Sequence, residues 1–171
     1  MDLTPTLNRL AYVRAQFLEQ ADSVAPPQWK HRPGPSRWSA AEVATHLAMV
    51  EDAIITKAGD MISHPPRPFP VWKRLHLPLF VIDARLGRRE TPIPLDPKLV
   101  ADKEEMLARL REVRHRTVDF LERTDGRDFS AYYFPHPFIG GLNLPQWFEV
   151  IWRHELRHTK QLREIVESFQ K

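Results

Sequence analysis

The sequence contains no cysteine among its 171 residues. Disulfide bonds, a thiol nucleophile and cysteine-ligated zinc are therefore excluded, and any metal ion must be held by histidine and carboxylate side chains. Long hydrophobic runs are also lacking: the longest, residues 77–82, has about six residues, far fewer than the ~20 that span a bilayer. We therefore expect no membrane partner. The N-terminus has no basic stretch followed by an apolar one, which predicts a cytoplasmic location.

The chain also lacks a strong excess of positive or negative charge. The net charge is only +3, and basic residues are interspersed with acidic ones instead of forming a block. This pattern is typical of a solvated surface and predicts no nucleic-acid partner. With 42% hydrophobic and 27% charged residues, the composition is that of a globular protein. We expect residues 1–171 to form a single domain with its own core.

Glycine is scarce but proline is abundant, with 6 and 16 residues respectively. Because proline is unfavourable inside helices and central strands, its clusters divide the chain into four segments, each with helical periodicity. The predicted helices run from about Thr4 to Ser23, from Ser39 to about Ser63, from Asp96 onwards and from about Asn143 onwards. No strand of useful length is predicted. The sequence therefore indicates an all-α protein, a four-helix bundle.

Local signals support three of the predicted helix starts. Ser39 with Glu42 has the form of a capping box, Asp96 precedes a proline in a first turn, and Gln146 follows Asn143 by three residues. The third segment repeats apolar residues every seven positions, which suits packing in a bundle: Leu99, Met106, Val113 and Phe120. Between helices two and three, the Pro-rich stretch from His64 to Pro97 must form a long crossover or cap, with a short helix predicted near Trp72 to Leu86.

Eight histidines are present, and three of them stand out. His154 and His158 are four residues apart, so they project from one helix face about one turn apart, a spacing that suits two imidazoles on one metal ion. They share a stripe with the apolar residues Trp147, Ile151 and Ile165, which should point inward. His46 lies on the inward stripe of the second helix and could face the pair. Three imidazoles on one cation with a vacant position is a catalytic type of metal site.

Other interpretations of the histidines remain open at this stage. The three could be unrelated core or surface residues. We expect the other five to be exposed or locally hydrogen-bonded: His31, His64, His76, His115 and His136. Of these, His136 lies in the loop that leads into the last helix, and its ring could lie against the N-terminal part of that helix.

Residues 154–158 read His-Glu-Leu-Arg-His and match the H-E-x-x-H signature of zinc peptidases. A peptidase would need a third ligand, usually downstream, and the metzincin pattern places a glycine and a histidine where this chain has Gln161 and Glu164. Only thirteen residues follow His158, so a peptidase is not expected. Glu155 is predicted to be a surface carboxylate paired with Arg153 or Arg157, or a group behind the metal ligands.

Two further residues have alternative roles. Gln161 lies one turn beyond His158 and could orient a ligand, support a metal-binding histidine, or simply close the end of the core. Together with Glu155 it is a candidate catalytic residue. Trp38, just before the second helix, is expected to pack in the core beneath the helix start, and the alternative role is stacking on a substrate.

Two stretches resemble the DinB/YfiT-like superfamily: residues 37–47, Arg-Trp-Ser-Ala-Ala-Glu-Val-Ala-Thr-His-Leu, and residues 152–162, Trp-Arg-His-Glu-Leu-Arg-His-Thr-Lys-Gln-Leu. The loop from His136 to Pro145 also resembles the turn before the family's last helix. The resemblance implies an up-down-down-up four-helix bundle, a divalent metal, zinc or nickel, on His46, His154 and His158, and a homodimer. It also implies metal-dependent thiol transfer or isomerisation with a low-molecular-weight thiol such as bacillithiol or mycothiol, or hydrolysis.

We therefore predict a metal-dependent enzyme, a transferase or hydrolase, that binds a small-molecule substrate at an open three-histidine site. A metal ion there would lower the pKa of a bound thiol or water. The alternative is a non-catalytic bundle that binds a metal or small ligand as a sensor or interaction module. The sequence does not distinguish these two classes.

Overall fold

Four long α-helices make up most of the described chain, which covers residues 2–84 and 95–170 of this computed structural model. The helices are α1 (Thr4–Asp22), α2 (Ala40–Ile62), α3 (Lys103–Arg123) and α4 (Leu144–Ser168). A two-stranded antiparallel hairpin, β1 (Tyr133–His136) and β2 (Gly140–Asn143), precedes α4. The predicted fold class, an all-α four-helix bundle, is confirmed. Within the described residues, no helix combines the length and apolar character needed to cross a membrane.

The predicted starts of the second and fourth helices are confirmed by reciprocal capping boxes. The Ser39 hydroxyl accepts from the backbone N–H of Glu42 at 3.2 Å, and the Glu42 carboxylate accepts from the backbone N–H of Ser39 at 2.8 Å. Asn143 and Gln146 exchange the same two bonds at 3.0 and 2.9 Å. Each box satisfies two backbone donors that the first helical turn leaves without partners.

The predicted start of the third helix at Asp96 was wrong. The Asp96 carboxylate caps only a short 3₁₀ turn, Pro97–Leu99, and the helix begins after Asp102. Between the two, Val100 and Ala101 pack on the core, and the Ala101 carbonyl accepts from the indole N–H of Trp29 at 3.2 Å. This long-range contact, which a local sequence signal cannot report, holds the chain out of the helix.

The hairpin was not predicted, because Pro135 interrupts β1 and β2 begins with two glycines, so neither four-residue strand shows an alternating pattern. The hairpin also packs on α4: the rings of Phe134 and Trp147 stack with centroids 4.1 Å apart, and the Trp147 indole donates to the Phe134 carbonyl. Gly140 has a φ of 109°, a conformation that favours glycine. The crossover lies against the edge of the hairpin, where His76 forms a β-bridge with Gly140.

In the crossover the predicted short helix near Trp72 to Leu86 is replaced, over its described part, by two 3₁₀ turns, Val71–Arg74 and Leu79–Val81. Residues 85 and 86 lie outside the described residues.

Two apolar clusters define the topology of the bundle. One combines the C-terminal halves of α1 and α4 with the N-terminal halves of α2 and α3, and includes Phe17, Val43, Leu110 and Leu162. The other combines the opposite halves, and includes Leu10, Ile54, Leu121 and Ile151. The helices therefore run up, down, down, up. Because α2 and α3 are parallel, the chain must return along the whole bundle between them, which explains the long crossover.

Four charged side chains form a layer where one apolar cluster gives way to the other. Each helix contributes one: Arg14, Glu51, Arg114 and Glu155, at most 7% exposed. Both arginines contact both glutamates: Arg14 reaches Glu51 at 2.8 Å and also pairs with Glu155, while Arg114 reaches Glu51 at 2.7 Å and Glu155 at 2.6 Å. We call these four residues the charged quartet. The expectation that Glu155 is a surface carboxylate paired with Arg153 or Arg157 was wrong.

The remaining bonding capacity of the quartet is satisfied by neighbours. Arg14 donates to the Leu110 carbonyl, Arg114 donates to the Leu10 carbonyl, and Thr117 donates to Glu51 at 2.8 Å. Burial alone would raise the pKa of Glu51, but the hydrogen bonds and positive charges of Arg114 and Arg14 outweigh it and hold that pKa below its usual value. Glu51 is therefore an ionised carboxylate in the interior, as a paired buried charge must be.

Candidate metal centre

Three histidine rings converge between α2 and α4. His46 lies on the second turn of α2, and His154 and His158 lie on successive turns of α4. The Nε2 atom of His154 is 3.2 Å from Nε2 of His46 and 3.1 Å from Nε2 of His158. The structure thus brings together the three histidines that the sequence pattern selected, and in the described part of the chain they form a group able to hold a metal ion. His46 and His158 are buried and His154 is partly exposed, so the group lies close to the surface.

Protonation of this group is opposed by its surroundings. Burial lowers the pKa of His46 to about 4. Loss of solvation, followed by the charges that His158 and His46 would carry, holds the pKa of His154 well below its ordinary value. The rings of His46 and His154 are therefore neutral near pH 7, and neutral imidazole is the form that binds metal ions.

Gln161 determines which nitrogen of His158 faces the centre. Its side-chain carbonyl lies 2.8 Å from Nδ1 of His158. Since an amide oxygen can only accept, Nδ1 carries the proton and Nε2 presents a lone pair toward the other two rings. Of the roles considered for Gln161, support of a metal-binding histidine is the one this contact favours.

Two of the three nitrogen–nitrogen separations suit a tetrahedral metal ion, and the three ligand atoms all lie within 4.8 Å of one another. Bonds of about 2.0–2.1 Å from zinc to nitrogen place two ligand nitrogens about 3.3 Å apart, close to the 3.1 and 3.2 Å observed here. Without a cation, three Nε2 atoms at these distances cannot all be paired, because each neutral ring offers one N–H and that of His158 is already directed at Gln161. The donor set and its spacing therefore suit a divalent ion of the zinc type.

Trp38 forms a wall of this centre. Its ring lies 5.0 Å from that of His46 and is nearly parallel to that of His158, with centroids 6.2 Å apart. Trp38 also packs on the apolar core, as expected, but its contact with two of the histidines was not foreseen. On the same side of the bundle is a cavity of about 460 Å³, lined by Lys30, Arg32, Trp38, Ser39, Glu42, Leu95 and Val100.

The other histidines are not members of this group, although the charge that His136 would carry also contributes to the lowered pKa of His154. His136 is half-buried in β1, where burial lowers its pKa to about 4, and its ring lies 5.2 Å from Trp147. His76 is hydrogen-bonded to Gln146 at 2.7 Å, and His64 lies 2.9 Å from the Ser63 hydroxyl. His115 is exposed on α3 and lies near Asp119. These local contacts agree with the roles expected from the sequence.

The Glu155 carboxylate of the H-E-x-x-H match belongs to the charged quartet. One of its oxygens accepts from Arg14 and the other from Arg114. Glu155 is 1% exposed, so its carboxylate is held in ion pairs and is not available to take a proton from a substrate or water. No sequence signal identified Arg14, Arg114 and Glu51 as its partners, because the four residues come from four different helices.

Replacing Gln161 by leucine is expected to weaken metal binding by about 10–100-fold. The substitution removes the acceptor that holds the Nδ1 proton of His158, so the ring can rotate or present the wrong tautomer, while the helix keeps a good helix former. Titration of the metal-free protein with zinc in competition with a chromophoric chelator measures the change. The matched control is Gln170→Leu, at an exposed position after the helix; equal affinities of the two variants would contradict the prediction.

Comparisons with known proteins agree with this geometry. The profile of the DinB superfamily matches residues 9–162. The chain is 25% identical over 159 residues to the uncharacterized protein YuaE of Bacillus subtilis (strain 168), a match that covers 92% of this chain and 95% of YuaE.

Two solved structures share the fold. YfiT from Bacillus subtilis, described as a probable metal-dependent hydrolase with an unusual four-helix bundle topology, has a TM-score of 0.67 and 17% identity, covering 97% of this chain and 86% of YfiT. A conserved protein from Enterococcus faecalis has a TM-score of 0.68 and 14% identity, covering 100% and 99% of the two chains. At these identities the likeness is one of fold.

Proposed function

Because this chain belongs to the DinB superfamily, we propose that it is a metal-dependent enzyme that converts a small molecule at a divalent cation held by His46, His154 and His158. The observation that carries the proposal is the convergence of the three Nε2 atoms, with the tautomer of His158 set by Gln161. The description of YfiT as a probable metal-dependent hydrolase supports the same class of activity.

His46, His154 and His158 would hold a divalent cation, zinc or nickel, through their imidazoles. Such an ion would supply Lewis acidity and would lower the pKa of a bound thiol or water molecule. The reaction we propose is accordingly transfer or isomerisation involving a low-molecular-weight thiol, or hydrolysis.

The protein's own residues prepare the site in three ways. Burial keeps the imidazoles of His46 and His154 neutral, and Gln161 fixes the orientation of His158. The indole of Trp38 lies against two of the rings and bounds the site on that side. The cavity beside Trp38 is the place we propose for the part of the substrate that does not react. Glu155, occupied by two arginines, takes no part in proton transfer.

The test begins with metal analysis of protein purified without a nickel column. We expect close to one equivalent of zinc or nickel, removable by a chelator. The loaded and the metal-free protein are then assayed with thiols plus electrophiles, and with ester and amide substrates. Turnover that requires the metal supports the proposal. A stoichiometric metal with no turnover of any substrate, together with retention of one ligand, would favour the non-catalytic binding bundle instead.

A further inference from the structure

The charged quartet draws its two carboxylates from the same stretches of α2 and α4 that carry the three histidines. Glu51 follows His46 by five residues on α2, and Glu155 lies between His154 and His158 on α4. The two carboxylates of the quartet thus belong to the two helices that carry the histidines. The two arginines belong to α1 and α3, the two helices that carry none of the three ligands.

The pattern of bonds links α2 to α4 twice. Arg14 bonds to Glu51 and to Glu155, and Arg114 independently does the same. Each arginine is itself anchored, because Arg14 donates to the backbone of α3 at Leu110 and Arg114 donates to the backbone of α1 at Leu10. A shift of α2 along α4, or a rotation of either helix, would break several of these bonds at once.

Stability alone does not explain a buried layer of this kind. Replacing a complete buried ion network by apolar side chains of similar volume is often neutral or stabilising, because four charged groups no longer lose their hydration. Apolar stripes tolerate a range of packings, whereas charge-assisted hydrogen bonds demand defined distances and angles. The quartet therefore fixes distances and angles between the helices. It does so in the stretches of α2 and α4 from which the three histidine rings must meet.

We propose that the charged quartet is a positioning device for the metal centre: Arg14 and Arg114 set the register and rotation of α2 against α4 so that His46 meets His154 and His158. The proposal rests on the proposed metal site. The four residues act through the histidines and do not themselves touch the metal or the substrate.

The decisive variant replaces the whole quartet by apolar residues of similar size: Arg14→Met, Glu51→Leu, Arg114→Met and Glu155→Leu. We expect it to fold with a midpoint of denaturation equal to or above that of the wild type. We also expect its affinity for Co²⁺ and Zn²⁺ to fall at least tenfold, with an altered visible absorption spectrum of bound Co²⁺, which reports the arrangement of the ligands. Loss of affinity without loss of stability separates positioning from a merely structural role.

A second variant keeps the test decisive if the apolar one does not fold. Arg114→Lys preserves the charge but removes the planar fork that contacts Glu51 and Glu155 together. We expect a folded protein with weakened metal binding and a changed Co²⁺ spectrum. The matched control is Arg116→Lys. Arg116 lies on α3 like Arg114, but it forms an exposed ion pair with Asp52 of α2, so neither readout should change.

The outcomes distinguish this inference from the proposed function. If the wild type binds neither Co²⁺ nor Zn²⁺, the metal site fails and the inference fails with it. If the wild type binds metal and either folded quartet variant keeps the wild-type affinity and spectrum, only the positioning role is overturned.

Discussion

Substitution of His154 by alanine is expected to lower metal affinity by roughly 10²–10³-fold, because a metal site shares its binding free energy among a few ligands and loses a large part of it with each one. His154 is the central ring of the group: its Nε2 atom is the one within 3.2 Å of both of the other two. His46→Ala and His158→Ala should have effects of the same order. Metal content after dialysis and zinc titration of each variant measure the loss.

The matched control for these variants is His115→Ala, which removes an exposed histidine from α3. It should retain the metal content and the affinity of the wild type. Activity, if present, should fall together with metal content in the three ligand variants and remain in the control. The metal site would be disproved by a wild type that contains no metal after purification without a nickel column, or by ligand variants that bind metal like the wild type.

Replacement of Glu155 by glutamine is expected to lower the free energy of unfolding by about 3–5 kcal/mol, the usual cost of breaking a buried ion pair by removing one partner. The variant leaves Arg14 and Arg114 buried with a single carboxylate, that of Glu51, to balance two positive charges. For a domain of this size the melting temperature should fall by roughly 6–20 °C. Chemical denaturation followed by circular dichroism measures the change.

This result also separates two interpretations of the H-E-x-x-H match. A peptidase would use the glutamate on its substrate, so glutamine would abolish activity and leave stability intact. If Glu155 instead belongs to the charged quartet, its replacement by glutamine should lower the free energy of unfolding. Glu167→Gln, at an exposed position on the same helix, is the control and should shift stability by less than about 0.5 kcal/mol. A similarly small shift for Glu155→Gln would show that the substitution does not leave the buried charges of Arg14 and Arg114 uncompensated.

Local information in the sequence was sufficient for the number of helices and for the selection of three histidines that the structure brings together. The capping boxes at Ser39 and Asn143 act over three residues, so a reader of the sequence sees both partners together. Helical periodicity then assigns His46, His154 and His158 to inward stripes, because side chains repeat on one face every three to four residues. The convergence of the three rings follows once two inward stripes meet in a bundle.

Contacts between distant segments leave no local signal in the sequence. Asp96, like the residues at the other predicted helix starts, has a local sequence signal for a helix cap. Residues 100 and 101 nevertheless pack on the core, and α3 begins only at Lys103. The hairpin before α4 packs on that helix through the stacking of Phe134 on Trp147, and its strands carry no pattern of their own. Trp38 was expected in the core, and only the assembled bundle shows its ring against His46 and His158.

The sequence by itself determined that this protein is a helical bundle and pointed to three histidines on inward stripes, since both depend on periodicity and caps within single helices. The tertiary structure alone decided the role of Glu155, which local sequence assigned to the surface. Its partner Arg14 is 141 residues away along the chain. The physical reason is that a buried charge is stable only where opposite charges and donors surround it, and those groups come together only when all four helices pack.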